Sequence, residues 1–190
     1  MLTDENAFGL LVSWFGIEDE EYALESGDFA ERALAFSQTV LERVRARPPA
    51  ERFRSLSLGH ALYLELAEGD ESGDLIGWLR ELRSELAERG FATLGGITYG
   101  GRWLDDAAQG DEPRIEPLAA GSIVHASRPS EPLRYALALD AVAQLEEGEE
   151  SGWGPGLYVA SDAVEALGRK FKNTPTPLDL GGATFYRVSR

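Results

Sequence analysis

Hydrophobic residues along this chain come in short runs whose spacing switches between the strand and helix periods. Residues 7–14 (Ala7-Phe8-Gly9-Leu10-Leu11-Val12-Ser13-Trp14) form a short apolar run, the pattern of a buried strand. Asp28 stands at an N-cap position. Phe29, Ala33, Phe36, Val40 and Val44 then recur at helical spacing to about Arg47, where Pro48-Pro49 ends the helix. From Leu56 to Leu66 the period drops to two, through Leu56, Leu58, His60, Leu62, Leu64 and Leu66. That alternation predicts β-structure, either one long strand or a tight hairpin turning at Gly59-His60.

The same two periods continue downstream. A helix is expected from about Asp74 to Arg89, burying Leu75, Leu79, Leu82 and Leu86 with Trp78 beside the stripe, and Gly90 stops it. Phe91 to Tyr99 reads as a strand running into Gly100-Gly101; residues 105–114 are polar and read as a loop; Ile115 to Ala126 gives a strand or two. Ser130 caps an alanine-rich helix reaching about Glu147. An acidic, glycine-rich stretch, Glu146–Gly156, leads into the short strand Leu157-Tyr158-Val159. Ser161 opens a last helix to about Phe171, with Glu165 near the capping-box position, and a Pro-rich loop precedes a final strand, Ala183 to Val188. No repeat and no inter-domain linker interrupts the series. Residues 1–190 therefore read as a single α+β domain, a sheet with helices packed mainly on one face.

Composition narrows the partners. The chain carries 33 acidic and 18 basic residues, a net charge of −15, and its only lysines are Lys170 and Lys172. A field of that sign repels phosphate backbones and anionic lipid and steers basic partners inward, which argues against nucleic acid and membrane surfaces. No apolar run approaches the roughly 18 residues of a membrane span, and the N-terminus lacks the basic region of a secretory signal, so a cytoplasmic location is expected. With no cysteine, disulfides, thiolate metal sites and Cys nucleophiles are excluded.

Taken in order, the elements resemble the class III adenylate/guanylate cyclase domain, a ferredoxin-like core with additions. The segment Leu94-Gly95-Gly96-Ile97-Thr98-Tyr99-Gly100 resembles the family's Gly-Gly-Ile-x-x-Gly strand, and Tyr158-Val159-Ala160-Ser161 its valine–serine strand before the terminal helix. The resemblance spans roughly residues 7–170 and implies a cyclase-like sheet. It also implies where metal ligands belong: an Asp at the end of the first strand and another in the hairpin turn. Ser13 and His60 stand there instead. At the position of the family's base-reading Lys stands Leu56, and at those of its helical Asn and transition-state Arg stand Arg134 and Ala138. Two metal ions held by carboxylates activate the ribose hydroxyl and neutralise the triphosphate in such enzymes, and neither a serine hydroxyl nor a soft imidazole nitrogen replaces a hard anionic ligand. The expectation is a protein that is not an enzyme and needs no cofactor.

Other chemistry finds little support. His60 falls in the hairpin and His125 at a strand end, and no nucleophile elbow, phosphate loop or dinucleotide fingerprint occurs. What remains is binding. Trp103 and Trp153 stand in glycine-flanked loop segments, beside acidic stretches containing Asp105, Asp106, Asp111 and Glu112 in one case and Glu149 and Glu150 in the other. Aromatic anchors ringed by charge suit a steered protein interface. The first expectation is a non-catalytic cyclase-like module acting on a protein partner, or less readily a nucleotide, in a regulatory role. A second is an acidic immunity-type inhibitor that neutralises a basic bacterial toxin. An active cyclase ranks last. Because class III cyclases build their site at a dimer interface, the resemblance is also consistent with a homodimer.

Overall fold

The apolar run near the N-terminus becomes the strand around which everything else is arranged. The computed structural model describes residues 6–17, 26–46, 53–57, 60–67, 74–101, 114–118, 121–125, 130–144, 154–168, 178–180 and 183–188. Strand β1 (Asn6–Trp14) pairs antiparallel with β3 (Ala61–Ala67) on one side and β4 (Thr93–Gly101) on the other. Strand β2 (Phe53–Ser57) pairs with β3 through Ser57 opposite Leu62, so the alternating segment is a hairpin and not one long strand. β7 (Gly156–Ala160) runs parallel to β4, and β9 (Ala183–Val188) and β8 (Leu178–Leu180) follow antiparallel. The sheet order is β2-β3-β1-β4-β7-β9-β8, while β5 (Arg114–Leu118) and β6 (Gly121–His125) form a separate hairpin.

Side chains alternate across a strand, so β1 feeds two layers. Phe8, Leu10, Val12 and Trp14 point to one face, where helices α1 (Ser26–Ala46) and α2 (Leu75–Glu88) pack. There the Trp14 ring lies 5.8 Å from Phe29, 6.0 Å from Phe36 and 5.0 Å from Phe91. α2 turns its Leu75, Leu79, Leu82 and Leu86 stripe inward as the spacing requires. Asp74 caps it by accepting from the Gly77 N–H at 3.0 Å, and Gly90, at φ 84°, releases the chain.

Helix α3 (Glu131–Gln144) lies on the opposite face. The reason is written in β4. Gly96 sits opposite Leu11, and a Cβ there would come 2.8 Å from the Leu139 Cδ2 and 3.4 Å from the Leu11 Cβ. Gly100 leaves similar room for Glu131 and Pro132. Strand glycines let a helix approach the backbone closely; α1 and α2 share one face and α3 takes the other.

Three elements depart from the sequence reading. α1 begins at Ser26, which puts Asp28 inside its first turn and not at its N-cap. The last helix, α4 (Ser161–Ala166), has six residues; its N-cap is Ala160, not Ser161, whose hydroxyl bonds to Asp162. Glu165 closes no capping box; its carbonyl instead accepts the Gly168 N–H at 2.9 Å, and Gly168 at φ 60° ends the turn. Strand β8, within the segment read as a Pro-rich loop, was not expected. Among the described residues no helix is long and apolar enough to cross a membrane.

Candidate functional site

The end of β1 and the start of β3 meet beneath α3. In the β1–β3 register Ser13 lies opposite Ala61, and the Trp14 N–H donates to the His60 carbonyl at 2.8 Å, so strand pairing alone places Ser13 and His60 side by side. Ser13 belongs to the Gly9-Leu11-Ser13 side of β1, the side that α3 covers. The helix supplies two partners one turn apart. The His60 Nε2 lies 2.7 Å from the Asp140 Oδ2. Gln144 Nε2 donates to the Ser13 Oγ at 3.0 Å, the Trp14 carbonyl at 3.1 Å and the Asp140 Oδ1 at 3.3 Å.

The serine and the carboxylate of this cluster are shielded, while the His60 side chain is 32% exposed. Ser13 is 0% and Asp140 6% exposed. Burial by itself raises a carboxyl pKa, yet the hydrogen bonds from His60 and Ser13, the His60 charge and the Gln144 bond together hold Asp140 below its ordinary value of 3.8. An ionised carboxylate only accepts, so the His60 Nε2 carries the proton in this contact.

The start of α3 is anchored by a second set of polar contacts. The buried Glu65 carboxylate accepts from Tyr63 at 3.0 Å and from the Ser130 hydroxyl at 2.8 Å. Thr98 donates to the Pro132 carbonyl at 2.8 Å, and Glu131 accepts the Gly101 N–H at 3.0 Å. These contacts fix the helix along the sheet and so set where Asp140 and Gln144 land.

What the cluster can do follows from its order. A nucleophilic triad places the histidine between the hydroxyl and the carboxylate. Here the His60 Nε2 is turned to Asp140 and the Ser13 Oγ accepts from Gln144, so these contacts do not form that relay. As a seat for a pair of magnesium ions the donor set does not fit either. It offers one carboxylate already engaged by its neighbours, a neutral hydroxyl and an imidazole, where a hard cation wants several free oxygen anions. Among the described residues no three His, Asp or Glu side chains gather as metal ligands.

Several residues singled out from the sequence belong elsewhere. Arg134 and Ala138 do not face this cluster; Arg134 is exposed, pairs with Glu131 at 3.7 Å and lies over the Tyr135 ring. The α3 residues that reach Ser13 and His60 are Asp140 and Gln144, which the sequence reading passed over. A signal for Asp140 was present. It interrupts the stripe Pro132, Ala136, Leu139, Ala143 with a carboxylate, and a charged side chain on a buried stripe is rare unless paired. Trp78 packs against the core as expected, and His125 ends β6 opposite Arg114. Trp103, Asp105, Asp106, Asp111, Glu112, Glu149, Glu150 and Trp153 all lie outside the described residues.

Neither a family model nor a curated protein matches the sequence. Solved structures do. The fold is similar to that of a bacterial light-regulated adenylyl cyclase, with a TM-score of 0.62 at 10% identity over 96% of this chain. This chain spans 51% of that one, about half its length. It is also similar to the adenylyl cyclase CyaB from P. aeruginosa, with a TM-score of 0.54 at 8% identity, covering 98% of this chain and 94% of that one. Identities this low establish the adenylyl-cyclase fold and nothing about activity.

Proposed function

We propose that this chain is a cyclase-fold binding module without cyclase chemistry, acting through a protein partner in a regulatory role. The carrying observation is the occupation of the two positions where the resemblance calls for metal-holding aspartates. Ser13 and His60 stand there, engaged by Gln144 and Asp140 of α3. Two divalent ions and a cation on the leaving phosphates contribute several kcal/mol of transition-state stabilisation to nucleotide cyclisation, and this donor set supplies neither. A cluster whose buried polar atoms bond to one another stabilises a fold.

The partner is basic. A net charge of −15 on 190 residues favours association with a cationic surface and weakens the hold on a triphosphate. The same charge supports the immunity-type variant of this reading, in which the partner is a basic toxin that the chain blocks. The test is capture of partners on the immobilised chain at low salt, elution with salt, and identification by mass spectrometry. The expected result is one strongly basic protein that rebinds when purified, with affinity falling at least tenfold between about 50 and 500 mM salt as screening shortens the field. A specific partner that is acidic or salt-indifferent would overturn the charge-steered reading.

A further inference from the structure

The two ends of α3 are held to the sheet by different chemistry. Near its start, the Thr98 hydroxyl donates to the Pro132 carbonyl and the Ser130 hydroxyl to Glu65, each at 2.8 Å. Near its end, the described polar contacts are those of Asp140 and Gln144, one turn apart. Gln144 and its partners Ser13 and Trp14 do not titrate in the neutral range. The His60–Asp140 pair does, because an ordinary histidine gains or loses its charge near pH 6.5, at about the middle of the physiological range.

The geometry makes that charge count. The His60 Nε2 lies 2.7 Å from the Asp140 Oδ2, and the Asp140 side chain is only 8% exposed. Burial pushes its carboxyl up, yet the His60 bond and charge, with the Ser13 and Gln144 bonds, hold it below the ordinary 3.8. The effect is mutual, since a cation that favours the carboxylate is favoured by it in equal measure. Among the described groups around His60, β1 contributes Ser13 and Trp14 and α3 contributes Gln144, all uncharged, and the ionised Asp140. A neutral imidazole still donates from Nε2, so the bond itself survives deprotonation. What disappears is the positive charge beside a carboxylate that water scarcely reaches.

We propose that the His60–Asp140 pair is a pH-sensitive latch on α3, gripping the C-terminal half of the helix while His60 is protonated and slackening as it loses its proton. A histidine whose charged form the fold favours adds stability that is complete below about pH 6.5. That stability is lost as pH rises through the higher folded value. The latch therefore acts across neutral and mildly alkaline pH, far from the acid range in which Asp140 itself titrates. Its effect is local. The Thr98 and Ser130 contacts do not involve His60, so α3 loosens from Gln144 inward while its start stays seated. Nothing in this proposal depends on a protein partner or on the absence of cyclase chemistry.

The experiment follows both histidines of the full chain by NMR between pH 5.5 and 9, with His125→Gln to assign the His60 signals. The His60 midpoint should lie above about 6.5 and drop by at least about half a unit in Asp140→Asn. Amide exchange, corrected for its intrinsic dependence on pH, then reads the helix. Protection of Leu139 to Gln144 should fall at least about threefold from pH 6 to 8.5, while that of Leu94 to Thr98 in β4 holds. His60→Gln keeps a donor for Asp140 without the charge, so its α3 protection should sit at the lower level at every pH. A His60 midpoint at or below about 6.5, a midpoint unmoved by Asp140→Asn, α3 protection indifferent to pH, or the same pH-dependent fall in His60→Gln would each overturn the proposal.

Discussion

At the scale of single residues, Asp140 decides how the cyclase-like position is filled. It is buried, ionised and paired with His60, with Gln144 bonding it to Ser13 and to the β1 backbone. Because its folded pKa lies below the ordinary 3.8, the unfolded carboxyl takes up a proton first as pH falls. The stability it contributes is thus complete above about pH 4 and is lost as pH drops through the folded value. Asp140→Asn should lower unfolding free energy by about 1–2 kcal/mol at pH 7, since it removes a charge-assisted acceptor and leaves His60 under-paired. Chemical denaturation of both proteins across pH 2.5–7 checks this: the gap between them should narrow at the acid end. A constant gap would mean that the carboxylate charge contributes nothing. The importance of Asp140 was half visible in the sequence as a carboxylate on a buried stripe. Its partners were not, because Ser13 lies more than a hundred residues away and only the helix position brings them together.

At the scale of elements, periodicity located almost every strand and helix, because the helices bury one stripe, the strands buried on both faces, β1 and β7, read as apolar runs, and both patterns are local. Leu75, Leu79, Leu82 and Leu86 are all buried, and the Leu62-Leu64-Leu66 alternation is one face of β3. Which face of the sheet each helix would take was not local information. It depends on empty positions, where Gly96 and Gly100 admit α3, and an absent side chain leaves no hydrophobic signal. The α4 boundaries failed for a related reason: Ser161 and Glu165 have capping chemistry, but the strand runs to Ala160 and leaves Ser161 inside the first turn. Gly9 tests how tight the α3 face is. A Cβ there would fall 2.5 Å from the Thr98 Oγ1 and 2.7 Å from the Tyr63 Oη, and Tyr63 is tied to Glu65. Gly9→Ala should destabilise the protein by roughly 1–3 kcal/mol, the ordinary cost of overpacking, read as a lower thermal midpoint. An unchanged midpoint would show that the Tyr63–Glu65–Ser130 contacts yield easily and do not fix α3.

At the scale of the whole molecule, a cyclase-like sheet in a strongly acidic chain carries a polar cluster beneath α3. The fold was legible from the order of segments despite identities of 10% and 8% to the similar cyclases, since an order of elements survives where residue identity does not. The central claim is that this fold binds and does not cyclise. The most direct measurement is cyclic-nucleotide formation by the purified chain from ATP and from GTP, with manganese as the most permissive metal, at protein concentrations high enough to allow dimers. The account predicts product at the level of the protein-free blank. Manganese-dependent product that disappears in Asp140→Asn would contradict it, and would make the Ser13–His60–Asp140 cluster a working metal site.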